Sequence, residues 1–169
     1  MEYWALVMED HPYPETFEEW RQFPEPYLTA IGRVVVNWCN LESVVDKAIG
    51  KLAGFNLDDP TGVIVTAHMT WPQKMDTLQA LVGILNAQYP HLTPKFNIAN
   101  PLVKQAQKGR NRIVHGLWGI EDGVVCKLNA SARGTLKFRV EPISVEEIAE
   151  ISLNIGNAAL AVLKMVLNK

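Results

Sequence analysis

Apolar residues recur at steps of three and four along most of the chain, which is the signature of amphipathic helices. The longest such stripe runs from about Pro26 to Ala53 and carries Ile31, Val34, Val35, Trp38, Leu41, Val45, Ala48, Ile49 and Leu52. Proline suits the first turn of that helix, where a backbone N–H has no partner anyway. Gly54 is placed to end it. Asp58-Asp59-Pro60 marks a loop, and Thr61 to Met69 is apolar and β-branched, compatible with a short helix or a strand. Thr70-Trp71-Pro72 reads as a helix start with Thr70 as N-cap, followed by Met75, Leu78, Leu81, Val82 and Leu85 and ending near Tyr89-Pro90. A further helix opens at Thr93-Pro94 or at Pro101. Leu102, Val103, Ala106, Ile113 and Val114 form its buried side, Gly109 interrupts it, and His115-Gly116 closes it with Gly116 as a left-handed cap.

Past residue 117 the period changes. Gly119 to Leu128 and Thr135 to Pro142 read as two strands, with Leu136 to Val140 alternating apolar and polar. Asn129 to Gly134 is the turn between them, so residues 117–143 form a β-hairpin that must lean on the helices for stability. Ser144 with Glu147 is a capping box. It opens a last helix striped by Ile148, Ile151, Ile155, Ala158, Ala159, Val162, Met165 and Val166, whose apolar side serves either the core or a dimer interface. Residues 1–25 are acidic, aromatic and broken by prolines, and are expected to be an arm laid on the bundle. The predicted architecture is one mainly α domain over 1–169: a helical bundle with a small β-hairpin inserted before the last helix.

Composition adds little to that picture. At 169 residues, 48% hydrophobic and 20% charged, the chain can bury a core without disulfides or metal. Cys39 and Cys126 are far apart and in no metal or redox spacing, which suits two free thiols. The N-terminus lacks a basic start, and no stretch approaches the ~18 uninterrupted apolar residues of a membrane span. The expectation is a soluble cytoplasmic protein with no membrane partner.

Charge distribution matters more than net charge. The formal charge is −2, yet the window from residue 77 to 120 has no acid and holds Lys95, Lys104, Lys108, Arg110 and Arg112. A near-neutral domain can therefore show one anion-attracting face. The chain has no Gly-rich phosphate loop, no Gly-x-Ser-x-Gly, no His-Glu-x-x-His and no Cys/His cluster with zinc spacing, so no metal or other cofactor is implied.

Polar chemistry concentrates in Lys108-Gly109-Arg110-Asn111-Arg112-Ile113-Val114-His115-Gly116. Asn111 and His115 are four apart and share a helix face, and the long Arg110 side chain can swing toward them. Cleaving RNA without a metal needs a base for the 2′-hydroxyl and a cation for the phosphate. Histidine titrates near pH ~6.5 and suits the first task; arginine stays charged and grips phosphate oxygens in pairs. Asparagine orients a ring or a phosphate without titrating. Lys104 and Lys108 are candidate RNA contacts, and Trp118, beside the motif, is a candidate base stacker.

The run Arg110-Asn111-Arg112-Ile113-Val114-His115 resembles the Arg-Asn-x-x-x-His signature of the HEPN superfamily of small helical proteins. Trp38-Cys39-Asn40-Leu41-Glu42 on an earlier helix looks like the Trp-x-x-Leu-Glu pattern many of them show. The resemblance implies a helical bundle that dimerises, with two copies of the motif meeting at the interface as one RNase site that leaves 2′,3′-cyclic phosphate ends. Arg110 is then the phosphate cation, His115 the proton-transfer group and Asn111 an orienting residue, with Arg112 supporting. Glu42, on or beside the apolar stripe, is expected to pair with Arg110 or His115. Family members include bacterial toxins and defence effectors, which implies RNA and an antitoxin or other protein partner. Others are non-catalytic, so the alternative is a dimeric module binding a protein or an anionic ligand. A plain reading also stands: His115 as a helix C-terminal histidine beside solvated arginines.

Overall fold

The computed structural model describes residues 23–56, 59–121, 123–131 and 137–167. The expected arm thus lies outside the described residues except for its last few positions. Among the described residues five helices and three strands follow in chain order: α1 (Glu25–Leu52), α2 (Thr61–Thr66), α3 (Trp71–Leu85), α4 (Leu92–Val114), β1 (Leu117–Glu121), β2 (Val124–Ser131), β3 (Lys137–Pro142) and α5 (Val145–Leu167).

The centre of the bundle is a triangle of long helices: α5 packs along both α1 and α4, while α2 and α3 lie against α1. The periodic stripes meet there. Val34, Leu41 and Val45 of α1, Val103, Ala106 and Ile113 of α4, and Ile148, Ile155 and Met165 of α5 are almost wholly removed from water within one cluster. Burying such side chains contributes about 1.5–3 kcal/mol each, which makes the three stripes the main source of stability. The stripe of α5 is therefore core on its inner side. By length and hydropathy α5 could cross a membrane; 33% of that window is buried inside the protein, on the side that packs on α1 and α4. Two polar contacts fix the register of the helices. Asn37 Nδ2 donates to Ser152 Oγ at 2.8 Å between α1 and α5, and Lys74 bonds to Asp46 at 2.8 Å between α3 and α1.

Helix starts follow local chemistry. α1 opens with Pro26 in its first turn. At α3 the Thr70 N–H donates to Gln73 Oε1 at 2.8 Å, closing a capping box. At α5 the Glu147 N–H donates to Ser144 Oγ at 3.2 Å. The return half of that box is missing, because the Glu147 carboxylate is taken by Arg112.

The structure decides one open choice, the start of α4, and corrects two expectations. α4 begins at Leu92, close to Thr93-Pro94, and Pro101 lies inside it. An interior proline forfeits one backbone bond and strains the preceding turn, at about 3 kcal/mol. Here the buried faces of Phe96, Ala99, Val103 and Ala106 on both sides of Pro101 hold the helix straight through. Gly109 does not interrupt α4 either. A Cβ there would sit 2.9 Å from Ile151 Cγ2, so the glycine lets α4 and α5 approach closely. The β region is a three-stranded antiparallel meander in order β1-β2-β3 rather than a hairpin. The stretch read as one strand from Gly119 to Leu128 folds back on itself at Gly123, whose φ of 77° is strained for residues with a Cβ.

Candidate active site

The last turn of α4 carries the motif. Its rigid backbone fixes Arg110 and Asn111, and His115 leaves the helix in an extended conformation (φ −102°, ψ 116°) while its N–H still donates to the Asn111 carbonyl at 3.1 Å. The exposed imidazole turns back toward the helix. Arg110 Nη1 lies 2.8 Å from His115 Nε2 and donates to Asn111 Oδ1 at 3.1 Å. A guanidinium has no lone pair to offer, so Nε2 is the acceptor in that contact.

The guanidinium is seated from below by Trp38 of α1, with Cζ 5.6 Å from the ring centroid. A cation over an indole face gains about 0.5–2 kcal/mol. Trp38 is itself 6% exposed and packed against Trp71 at 4.5 Å between centroids. A line of contacts runs from α3 to the surface: Trp71 against Trp38, Trp38 under Arg110, and Arg110 on His115. Sequence reading assigned Trp38 to the core, which is right, but missed that its ring positions Arg110. The Trp-x-x-Leu-Glu pattern was the available signal.

Of the other expected site residues, Asn111 joins the cluster by bonding Arg110 rather than the histidine ring. Glu42 does not join it. Among the described residues its half-buried carboxylate makes no ion pair or hydrogen bond, because the Trp38 ring, Asn111 and His115 already hold Arg110. Arg112 faces the other way. Its Nη2 bonds Glu141 at 2.8 Å and its Nη1 bonds Glu147, tying α4 to β3 and α5. The bond to Glu147, then the one to Glu141, raises the Arg112 pKa against the opposing effect of burial. Arg112 is a structural clamp. Trp118 is no free stacker: its Nε1–H donates to the Ile113 carbonyl at 3.2 Å and its ring meets Phe23 edge-on at 6.2 Å. Lys104 and Lys108 stand exposed on α4.

One residue near the motif was not anticipated. Lys127 of β2 is 2% exposed, and its Nζ has no hydrogen-bond partner among the described residues. Burial pushes its pKa down, the Arg112 charge adds to that, and Glu141 opposes. It lies against Gly116, the residue after His115: a Cβ at Gly116 would collide with Lys127 Cε and come within 3.1 Å of the Leu128 carbonyl oxygen. Gly116 is therefore no left-handed helix cap. Its φ of 138° and the close approach of β2 both require glycine. A lysine inside the apolar run Val124 to Leu128 was the sequence signal.

Apolar side chains remain exposed around the motif. Val35 stands one turn before Trp38, and Val114 and Leu117 flank His115, at 43%, 36% and 55% exposure. Among the described residues no group of three or more His, Cys, Asp or Glu side chains could hold a metal ion. The cluster can accept a proton at His115 and grip an anion with Arg110, from a solvent-facing position. No family model, no curated protein and no solved structure matches the chain.

Proposed function

We propose that this protein is a metal-independent endoribonuclease of the HEPN type that acts as a homodimer. The observation that carries the proposal is the exposed Arg110–His115 contact, with a guanidinium that no carboxylate neutralises among the described residues. In the reaction, one His115 takes the proton of a 2′-hydroxyl as its oxygen attacks the adjacent phosphorus. The P–O5′ bond breaks, and the leaving oxygen takes a proton from the second imidazole of the pair. Arg110 holds the phosphoryl oxygens as charge builds on them. The products are a 2′,3′-cyclic phosphate end and a 5′-hydroxyl end.

A second copy of the chain supplies the second imidazole. The exposed Val114 and Leu117 on either side of His115 in the chain support that arrangement, since exposed apolar residues grouped together mark association surfaces. A bacterial toxin or defence role fits such an activity, with an antitoxin as protein partner.

The test is cleavage of structured and unstructured RNA in excess EDTA by wild type and by His115→Ala, with the mass of each in solution. Cleavage by the wild-type dimer alone, leaving cyclic phosphate ends, is the expected result. No cleavage by a well-folded wild-type dimer sinks the nuclease proposal and leaves a dimeric module that binds a protein or an anionic ligand through the same face.

A further inference from the structure

The outer side of the α4–α5 contact is an open groove. It holds two cavities in succession, of about 490 and 270 Å³. Lys95 and Lys164 border the first; Lys108 and Arg112 border the second. The two helices run antiparallel, since Lys95 shares a cavity with Met165 and Gly109 meets Ile151.

Among the described residues, two cations are taken up by ion pairs. Lys74 and Arg112 each pair with acids that join neighbouring elements. Lys95, Lys108 and Lys164 have no acid partner among the described residues, and no acid lines either cavity; Glu147 stands at the far end, paired with Arg112. The sequence has no acid from residue 77 to 120 and none after Glu150. Three unneutralised ammonium groups along one groove attract a polyanion, in a protein whose net charge alone gives no such expectation. Between them stand Gln105, Asn154 and Asn157, whose amides both donate and accept and so can meet base edges. Ile98 and Leu160, 67% and 53% exposed, give apolar contact beside them.

Geometry selects the form of the polyanion. Packed helix axes lie about 8–10 Å apart, so the furrow between them seats one strand and not a duplex. From Lys95 to Arg112 the wall is ~25 Å long at the helical rise, room for about four nucleotides, the lower end of single-strand site sizes. Gly109 and Arg112 at the far end flank Arg110 and Asn111 in sequence, so the groove ends on the turn that carries the motif.

We infer that the α4–α5 groove is a seat for a single RNA strand, held through its phosphates by Lys95, Lys108 and Lys164. The choice of RNA over other polyanions rests on the ribonuclease reading. The groove's role is tested without any cleavage.

The probe is a fluorescein-labelled 2′-O-methyl oligouridylate of twelve nucleotides, which has no 2′ nucleophile. Its binding to the intact chain is followed by anisotropy from low to moderate salt. Wild type is expected to bind it, and the triple variant Lys95→Gln, Lys108→Gln, Lys164→Gln to bind at least tenfold more weakly at low salt. The slope of log affinity against log salt should fall by about 0.7 for each lysine that contacts a phosphate. A second triple variant, Arg33→Gln, Lys47→Gln, Lys51→Gln, removes equal charge elsewhere and should bind nearly as wild type does. Three results overturn the inference: no binding by wild type, equal loss in the two triple variants, or a duplex of the same chemistry binding more tightly than the strand. Displacement of the strand by poly-L-glutamate at matched charge also overturns it, and assigns the groove to acidic protein segments. Cleavage of RNA by a groove variant that binds as wild type does removes the groove and leaves the nuclease proposal standing. Strand binding in the groove without cleavage does the reverse.

Discussion

Arg110 and Arg112 sit two residues apart on one helix, and the fold uses them in opposite ways. Arg112 turns to the α5 and β3 side, where Glu141 and Glu147 neutralise it. Arg110 turns to the α1 side, where it meets an aromatic face, an amide oxygen and a histidine nitrogen, and, among the described residues, no carboxylate. Two residues on a helix are about 200° apart in azimuth, so one helix serves two neighbourhoods. A cation whose charge is cancelled by acids is spent on joining elements. A cation held in place by uncharged partners keeps its charge for a ligand.

The sharpest way to break that contrast is to remove each member. Replacing His115 by alanine should lower RNA cleavage by about 10²–10⁴-fold, the range for losing a proton-transfer group, with the circular dichroism spectrum and unfolding midpoint close to wild type. Trp38→Ala should act on both fold and site. It removes a buried ring, at about 3–5 kcal/mol in urea unfolding, and unseats Arg110. Trp38→Phe keeps an aromatic face and should retain more of the activity than Trp38→Leu at comparable stability. If the two variants cleave equally, the ring does not position the arginine.

Glycines give the next effects. Gly109→Ala forces a methyl against Ile151 Cγ2, and overpacking of this kind costs about 1–3 kcal/mol. Ile151→Ala, which removes Cγ2, should cost less stability in the Gly109→Ala background than in wild type, and equal costs would mean that α4 and α5 do not meet there. Arg112→Met should lower stability by about 1 kcal/mol, since its partly exposed ion pairs are discounted by solvent, and leave cleavage within a few-fold of wild type.

The smallest effect is a pH dependence. Lys127 has a folded-state pKa below its unfolded value, so the unfolded chain binds more protons between the two. Stability from this group therefore rises with pH through the window that ends at the ordinary lysine value of about 10.4. Below the folded pKa the cost of burying the ammonium is fully present. Lys127→Met should be more stable than wild type at neutral pH, with the gap narrowing in alkaline buffer. A gap that widens with pH contradicts the burial of an unpaired ammonium.

Much of this was legible along the chain. The stripes of α1, α4 and α5 were strong because each repeats over six or more turns, and the cap at Thr70 is local chemistry. The motif itself was legible as residue types at a spacing. Tertiary facts were not. Pro101 reads as a helix breaker until the packing on both sides of it is known. Gly109 reads as an interruption because its contact, Ile151, lies 42 positions away in the chain. The division of labour between Arg110 and Arg112 depends on which helix or strand lies beside each, and spacing alone made both look like parts of one site. Glu42 looked like the partner of Arg110 for the same reason: its position on the stripe was visible, while the ring that occupies Arg110 instead belongs to a register between α1 and α4.

The central claim is that Arg110 acts on the ligand while Arg112 acts on the fold, and one paired measurement tests it. Arg110→Gln and Arg112→Gln would be assayed side by side for cleavage of unstructured RNA in excess EDTA and for their unfolding midpoints. The account predicts that Arg110→Gln loses cleavage and keeps its midpoint, whereas Arg112→Gln keeps cleavage and loses stability. Cleavage that survives in Arg110→Gln, or is lost in an Arg112→Gln chain still folded at the assay temperature, contradicts it.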